Sequence, residues 1–262
     1  MAASHGKKQI SWTKSAKLLA NTHSNPKDQP LANKRLYGRR KGRPLSNARG
    51  EAMDELLPAL GIPVEALKEE ASLDPNSLFP AQAPVILEVG FGSGEHVKAL
   101  MERSPDTHFL ACEPFENGMA AFLKSIHHTP LRNVRLLMDD ALKLCRSLKD
   151  SCLEEIYILN PDPWHKTRHH KRRIISPENL DIFARILKPG GRLILSTDVP
   201  GLADWMITHT ARHPSFAWEA KSCHDWQIPP ADWITTAYEK KGAKGAKKMC
   251  YLFFKRQHIN LK

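Results

Sequence analysis

The chain has 262 residues, with 39 Lys or Arg against 28 Asp or Glu, a formal charge of +11. Hydrophobic residues make up 41%, which excludes global disorder and allows one large α/β domain, or a medium domain with tails. The charge points to a polyanionic partner, nucleic acid first. No apolar run approaches the ~18 residues of a membrane span, the start lacks the apolar stretch of a secretory signal, and the scattered cysteines form no C-x-x-C, so a cytoplasmic protein with neither disulfide scaffold nor zinc ribbon is expected.

Residues 1–50 carry 12 Lys or Arg and one acid, Asp28. They read as a basic, largely disordered arm: a solvated tail, an RNA-docking segment or an organelle transit peptide. The densest part, Lys34 to Pro44, has charges that must face solvent or phosphate. A short amphipathic helix is predicted over 51–61 from Met53, Leu56, Leu57 and Leu60, and a Pro-containing linker reaches 84. From 85 to 262 the pattern alternates strand and helix. Strands are predicted at Val85–Val89, Phe109–Glu113, Val134–Met138, Ile156–Leu159 and Arg192–Ser196. Helices are predicted around Val97–Met101, over 116–126, from Ser176-Pro177 to Lys188-Pro189-Gly190-Gly191, and over 202–212. Phe216–Lys221 and Tyr251–Lys255 are late strands. The rhythm predicts an α/β fold with a doubly wound, mostly parallel sheet.

Ligands of such sheets bind at the carboxyl ends of the strands. The first strand ends Glu88-Val89-Gly90-Phe91-Gly92-Ser93-Gly94, a G-x-G-x-G spacing rather than the G-x-G-x-x-G of dinucleotide sites. A carboxylate at Glu88 would repel a pyrophosphate but attract the ammonium and sulfonium of S-adenosylmethionine. Glu113 follows Gly90 by 23 positions, at the end of the second strand, where a carboxylate can accept both ribose hydroxyls. Asp140 ends the third strand and suits the adenine amino group, with Asp139 as the alternative.

The fourth strand runs into Asn160-Pro161-Asp162-Pro163-Trp164. Two prolines stiffen the backbone around Asp162, and Trp164 offers a face to a base. Residues 165–173 then carry five Lys or Arg, three His and no acid. Metal ligation by the histidines is disfavoured by the surrounding cations, so no metal is expected.

Asn160–Arg173 resembles the PDPW-x-K-x-x-H-x-KRR signature of the tRNA (guanine-N7-)-methyltransferase family, the bacterial TrmB-like enzymes. Glu88–Gly94 and Lys188–Asp198 are similar to two further segments of that family, and the resemblance covers about residues 34–256. It implies a class I, Rossmann-like methyltransferase domain with a seven-stranded sheet and a basic N-terminal extension. It implies methyl transfer from S-adenosylmethionine to guanosine N7 in the variable loop of tRNA, position 46. Glu88, Glu113, Asp140 and Asp162 match the family's cofactor contacts, with Gly90, Gly92 and Gly94 in the loop, and Asp162 also matches its catalytic acid. Lys166 and Asp198 match substrate contacts. The late T-x-x-E appears as Thr236-Ala237-Tyr238-Glu239, where Ala237 replaces the usual Lys and Thr236 and Glu239 remain available to hydrogen-bond the target base. Arg168, Lys171, Arg172 and Arg173 are the expected RNA contacts, and the enzyme is expected to work as a monomer or homodimer without an obligatory protein partner. Rival readings are a methyltransferase acting elsewhere on RNA, a non-catalytic RNA-binding protein on the same fold, and a nicotinamide oxidoreductase, against which the glycine spacing speaks.

Overall fold

The computed structural model describes residues 37–68, 71–242 and 248–258, so the expectations for residues 1–36 and most of the basic stretch 240–248 lie outside the described residues. Strands β1 (Val85–Val89), β2 (His108–Cys112), β3 (Val134–Leu137), β4 (Leu153–Leu159), β5 (Leu187–Thr197), β6 (Phe216–Trp218) and β7 (Cys250–Arg256) form one sheet, in the order β3-β2-β1-β4-β5-β7-β6. β1 to β5 pair in parallel, and β7 lies antiparallel between β5 and β6. This is the doubly wound, mostly parallel seven-stranded arrangement predicted from the sequence.

Alternation along the strands divides the core between the two faces. Leu110 and Cys112 of β2 face one cluster, with Leu87, Ile156 and Leu193. Phe109 and Ala111 face the other, with Phe122 and Met119. Helices α1 (Asn47–Leu60), α2 (Glu95–Arg103) and α3 (Glu116–Ile126) cover the second face. α4 (Ala141–Ser147), α5 (Pro177–Ile186) and α6 (Pro200–Arg212) contribute to the first cluster. Two short helices, α7 (His224–Gln227) and α8 (Ala237–Lys241), precede β7.

Local chemistry sets several boundaries. Ser176 caps α5, its hydroxyl accepting from the Asn179 amide, with Pro at the first helical position. α1 begins at Asn47 rather than at 51, and β4 begins at Leu153 rather than at Ile156. The early part of β4 holds Glu154 and Glu155, which pair with Lys188 and Arg192 of β5 and break the apolar run. The predicted turn at 188–191 lies inside β5, where the pairing with β4 shifts register and Gly190 takes φ +83. α4 has no counterpart among the predicted helices. Asp140 starts it, its carboxylate accepting from the Leu142 amide.

Candidate active site

The loop after β1 turns through three glycines in left-handed conformations, Gly90 (φ +72), Gly92 (φ +61) and Gly94 (φ +80). A side chain at Gly94 would strike the Phe122 ring, whereas a Cβ on Gly90 or Gly92 would meet nothing within 4 Å. Gly94 thus serves packing, and Gly90 and Gly92 leave an open cradle.

Glu113, just past β2, ties this loop down. Its two oxygens accept from the amides of Gly92 (2.7 Å) and Phe115 (2.9 Å). Burial pushes its carboxyl above the usual carboxylate range; the two amides oppose this, and the negative charges of Asp162 and Glu88 add to it. Neither Glu113 nor Asp162 has an ion-pair partner among the described residues. Glu88 is 3% exposed and accepts from Nδ1 of His96, equally buried, at 2.9 Å. A carboxylate only accepts, so the imidazole is the donor.

Asp139 and Asp140 divide their work. Asp139 pairs with Lys143 (2.7 Å) and Arg40 (3.5 Å). Asp140 spends one oxygen on the α4 cap and makes no ion pair among the described residues. Asp140 is therefore the less committed acid.

After β4, Asn160 (φ +48) and Trp164 (φ +45) hold left-handed conformations on either side of Asp162. For Trp such a conformation is a true outlier, costing on the order of 1–3 kcal/mol. Asp162 is exposed on the resulting rigid turn. Oδ1 of Asn160 is buried beside it in sequence without a hydrogen-bond partner. Residues 37–43 run over this region. Gly38 lies beside Asp162, so close that a Cβ on it would be 3.8 Å from Oδ2. Further along, the Arg40 carbonyl accepts from the Glu116 amide, and Asn117 brackets Gly42 and Arg43 with two hydrogen bonds. The segment thus touches the ends of β4, β2 and β3.

The basic residues are not equivalent. A 3-10 turn, Thr167–Arg172, leaves Lys166, Arg168 and Lys171 exposed. Arg172 instead lies over the rings of Tyr37 (4.1 Å) and Trp164 (5.0 Å). Trp164 is therefore already covered by a guanidinium, and is not the open stacking face the sequence suggested. Arg173 corrects the expectation of a surface RNA contact: it is 7% exposed, and its Nε donates to the Pro163 carbonyl at 2.9 Å.

Just past β5, buried Asp198 accepts from the Tyr238 hydroxyl at 3.4 Å. Burial and the Asp198 charge both raise the Tyr238 hydroxyl pKa. Thr236 caps α8: its hydroxyl accepts from the Glu239 amide and donates to the Glu239 carboxylate. The Thr236 hydroxyl is engaged there as donor and acceptor, so its expected availability to a base is limited to what the cap releases. Glu239 also accepts from Trp233 Nε1 (3.1 Å), and the Trp233 ring lies 6.1 Å from His96. A continuous set of contacts, Glu88–His96–Trp233–Glu239, thus links the glycine loop to the late motif. Sequence reasoning missed His96, Trp233, the Tyr238–Asp198 contact and the docking of residues 37–43, which it read only as a basic run facing solvent or phosphate. Only His96 left a signal, an imidazole opening a helix directly after a glycine loop.

The open glycine cradle, the unpaired acids at the strand ends and the orphaned Asn160 oxygen fit a cationic nucleoside cofactor.

Residues 82–252 match the family described as "Putative methyltransferase". The tRNA (guanine-N(7)-)-methyltransferase of Rhodospirillum rubrum is 41% identical over 88% of this chain and 91% of that protein. The enzyme of the same name from Agrobacterium fabrum is 40% identical over 86% of this chain and 97% of that protein. Among solved structures, the 16S rRNA methyltransferase KamB matches with a TM-score of 0.48 at 17% identity, over 67% of this chain and 89% of that one. The extent and level of identity to these tRNA enzymes, over the segment that builds the site, show that the chain belongs to the tRNA (guanine-N7-)-methyltransferase family.

Proposed function

We propose that this protein transfers the methyl group of S-adenosylmethionine to N7 of a guanosine in tRNA, at the variable-loop position 46, as a cytoplasmic enzyme that needs no second protein. The observation that carries the reading is the group of acids without cations, Glu113 and Asp162 with Glu88 nearby, placed next to an exposed basic turn. One side suits a cationic cofactor and the other a polyanion.

When bound, the cofactor supplies an electrophilic methyl group. Glu113 would accept from its ribose hydroxyls, Asp140 from its adenine amine through the uncommitted oxygen, and the Glu88 charge would favour its ammonium. Guanine N7 carries an in-plane lone pair in the neutral base, so the residues need not remove a proton before attack. Their task is alignment, together with stabilisation of the positive charge that develops on the imidazole ring. Asp162, held on its strained turn, supplies that fixed negative charge. Asp198 and Glu239 accept from N1–H and the exocyclic amine, which distinguishes guanine from adenine. An unpaired polar edge in a buried site costs about 1–3 kcal/mol per group.

The deciding experiment is transfer of labelled methyl to an unmodified tRNA transcript, with the product cut by reduction and aniline. One cut in the variable loop is the expected result. Label without that cut would move the target atom, and no cofactor binding would leave only an RNA-binding protein.

Two further outcomes follow from the geometry. Neutralising Arg168 and Lys171 together should flatten the slope of log K against log salt by about 1–2 units, because each exposed cation releases roughly one counterion. An unchanged slope would place the RNA elsewhere. The second concerns pH. The Glu113 pKa is raised, so on acidification it takes up a proton at a higher pH than an ordinary carboxylate. Cofactor affinity, which needs the carboxylate, should fall there. The sign for folding is opposite: a raised carboxyl pKa contributes stability below the unfolded value, and that stability is lost as pH rises through the folded value. Cofactor titrations from pH 7 downward should show weakening without parallel loss of thermal stability from this group. In Glu113→Gln the acid-side change should vanish and affinity should be low throughout.

A further inference from the structure

Trp233 lies between the glycine loop and the late motif, and its backbone is pinned twice. Its amide donates to the Pro230 carbonyl at 3.0 Å, and the guanidinium of Arg103, at the end of α2, donates to the carbonyl of neighbouring Asp232. Its ring packs edge-on against Tyr251 and Phe253 of β7, with centroids 4.8 and 6.3 Å away, and lies 6.1 Å from His96 in the first turn of α2. His96 is itself held, by Glu88 and by the Tyr157 ring at 4.8 Å. The Tyr157 hydroxyl donates to Glu155 at 2.7 Å. The indole thus has fixed neighbours on both β7 and α2, and this packing fixes the direction of its N–H.

That N–H meets Glu239. It donates to Oε2 at 3.1 Å, while the Thr236 hydroxyl donates to Oε1 at 3.3 Å. Each oxygen of the half-buried carboxylate therefore holds one neutral donor, and a carboxylate oxygen offers about two lone-pair sites. One site on each oxygen stays open. Among the described residues no Lys, Arg or His pairs with Glu239, so its charge is oriented without being neutralised and can still accept from N–H groups of a ligand. Thr236 alone would not fix it. Its hydroxyl also accepts from the Glu239 amide and so belongs to the same short helix, α8. Trp233 comes from outside α8 and ties the carboxylate to the sheet.

We propose that Trp233 is a positioning residue for base selection: its indole N–H aims the Glu239 carboxylate at the N1–H and exocyclic-amine edge of the target guanine. This rests on the tRNA reading above and deepens it. Trp233 touches no substrate atom; it acts through Glu239. Without the indole donor the carboxylate keeps its charge but loses its fixed direction, and the cost falls on discrimination between bases.

The test uses Trp233→Phe in the full chain, which keeps an aromatic ring against Tyr251, Phe253 and His96 and deletes the N–H. Three tRNAs differ only at the target base: guanine, the hypoxanthine of inosine, which lacks the exocyclic amine, and 2-aminopurine, which keeps the amine and lacks N1–H. All three keep N7. In the wild type each analogue should lower kcat/KM about tenfold or more, because an acceptor of the site is left unpaired. In Trp233→Phe, kcat/KM for guanine should fall about tenfold, the cofactor Kd should stay within about twofold, and the penalty for at least one analogue should shrink to about threefold or less. A merely structural role would slow all three substrates alike, and penalties left at their wild-type ratios overturn the proposal. So does a wild type that methylates all three bases equally. A second readout is independent of activity: the 1H–15N cross-peak of the Trp233 indole, assigned by its absence in Trp233→Phe. It should move upfield in Glu239→Gln, where the charged acceptor is gone, and an unmoved peak overturns the hold on Glu239. If the wild-type protein methylates no tRNA yet the peak moves, the hold on Glu239 stands and its use in selecting a guanine falls with the tRNA reading.

Discussion

Asp162→Ala is expected to lower kcat by about 10²–10³-fold while the Kd for tRNA stays within about twofold. The side chain is exposed and makes no hydrogen bond to the rest of the described protein, so its removal leaves the fold intact. The turn that presents it is set by Asn160, Trp164 and the flanking prolines, not by the carboxylate. The exposed cations Arg168 and Lys171, the proposed phosphate contacts, lie further along the loop. On the proposed mechanism, what disappears is one fixed negative charge beside the reacting base, and that charge matters most in the transition state. Rates must be read at saturating cofactor, since Asp162 also faces the cofactor side. Asp162→Asn separates shape from charge: a near-normal rate there would remove the electrostatic role. Equal losses of tRNA affinity and turnover, with an unchanged melting temperature, would show that Asp162 binds rather than catalyses.

A methyl group added at Gly118 should weaken cofactor binding at least about tenfold. By helix propensity alone Gly118→Ala in α3 is favourable by roughly 1 kcal/mol. Packing reverses the sign. The new Cβ would lie 2.6 Å from the Gly92 carbonyl oxygen and 3.2 Å from Cγ of Glu113. One of these is backbone of the glycine loop, and the other is the residue that ties the loop down. Overpacking of this kind costs about 1–3 kcal/mol, or a few degrees of Tm in a domain of this size. The larger effect falls on the cradle, because the loop must move and Glu113 must move with it. Gly50→Ala in α1 is the control, since its Cβ would meet nothing within 4 Å. There a small gain in Tm and an unchanged cofactor Kd are expected. A Gly118→Ala protein that binds cofactor normally would show that the loop has slack.

The strand ends were legible because buried parallel strands are short, continuously apolar runs, and acids following such runs stand out. Val85–Val89 and the helix at 116–126 were read with the boundaries the structure gives them. α4 escaped because its seven residues include Lys143, Arg146 and Ser147, too short and too polar for a helical period to show. In the basic turn the sequence presents interchangeable cations. Only the 3-10 geometry turns Arg168 and Lys171 outward, Arg172 onto two rings and Arg173 inward. Docking of residues 37–43 depends on partners 74 or more positions away, such as Asn117 for Arg43 and Asp139 for Arg40. No local pattern encodes such contacts.

The place of β7 in the sheet bears on when the molecule can finish folding. β6 pairs only with β7, and β5 borders β7 along most of its length. During synthesis, β1 to β5 are complete well before Cys250 emerges from the ribosome. Until then β5 presents an open edge lined by Leu193, Ile194 and Leu195, and β6 has no strand to join. Such an edge invites pairing with other chains. Any chain in which β1 to β5 have assembled ahead of β7 carries this adhesive edge, and pairing of residues 250–256 with β5 closes it.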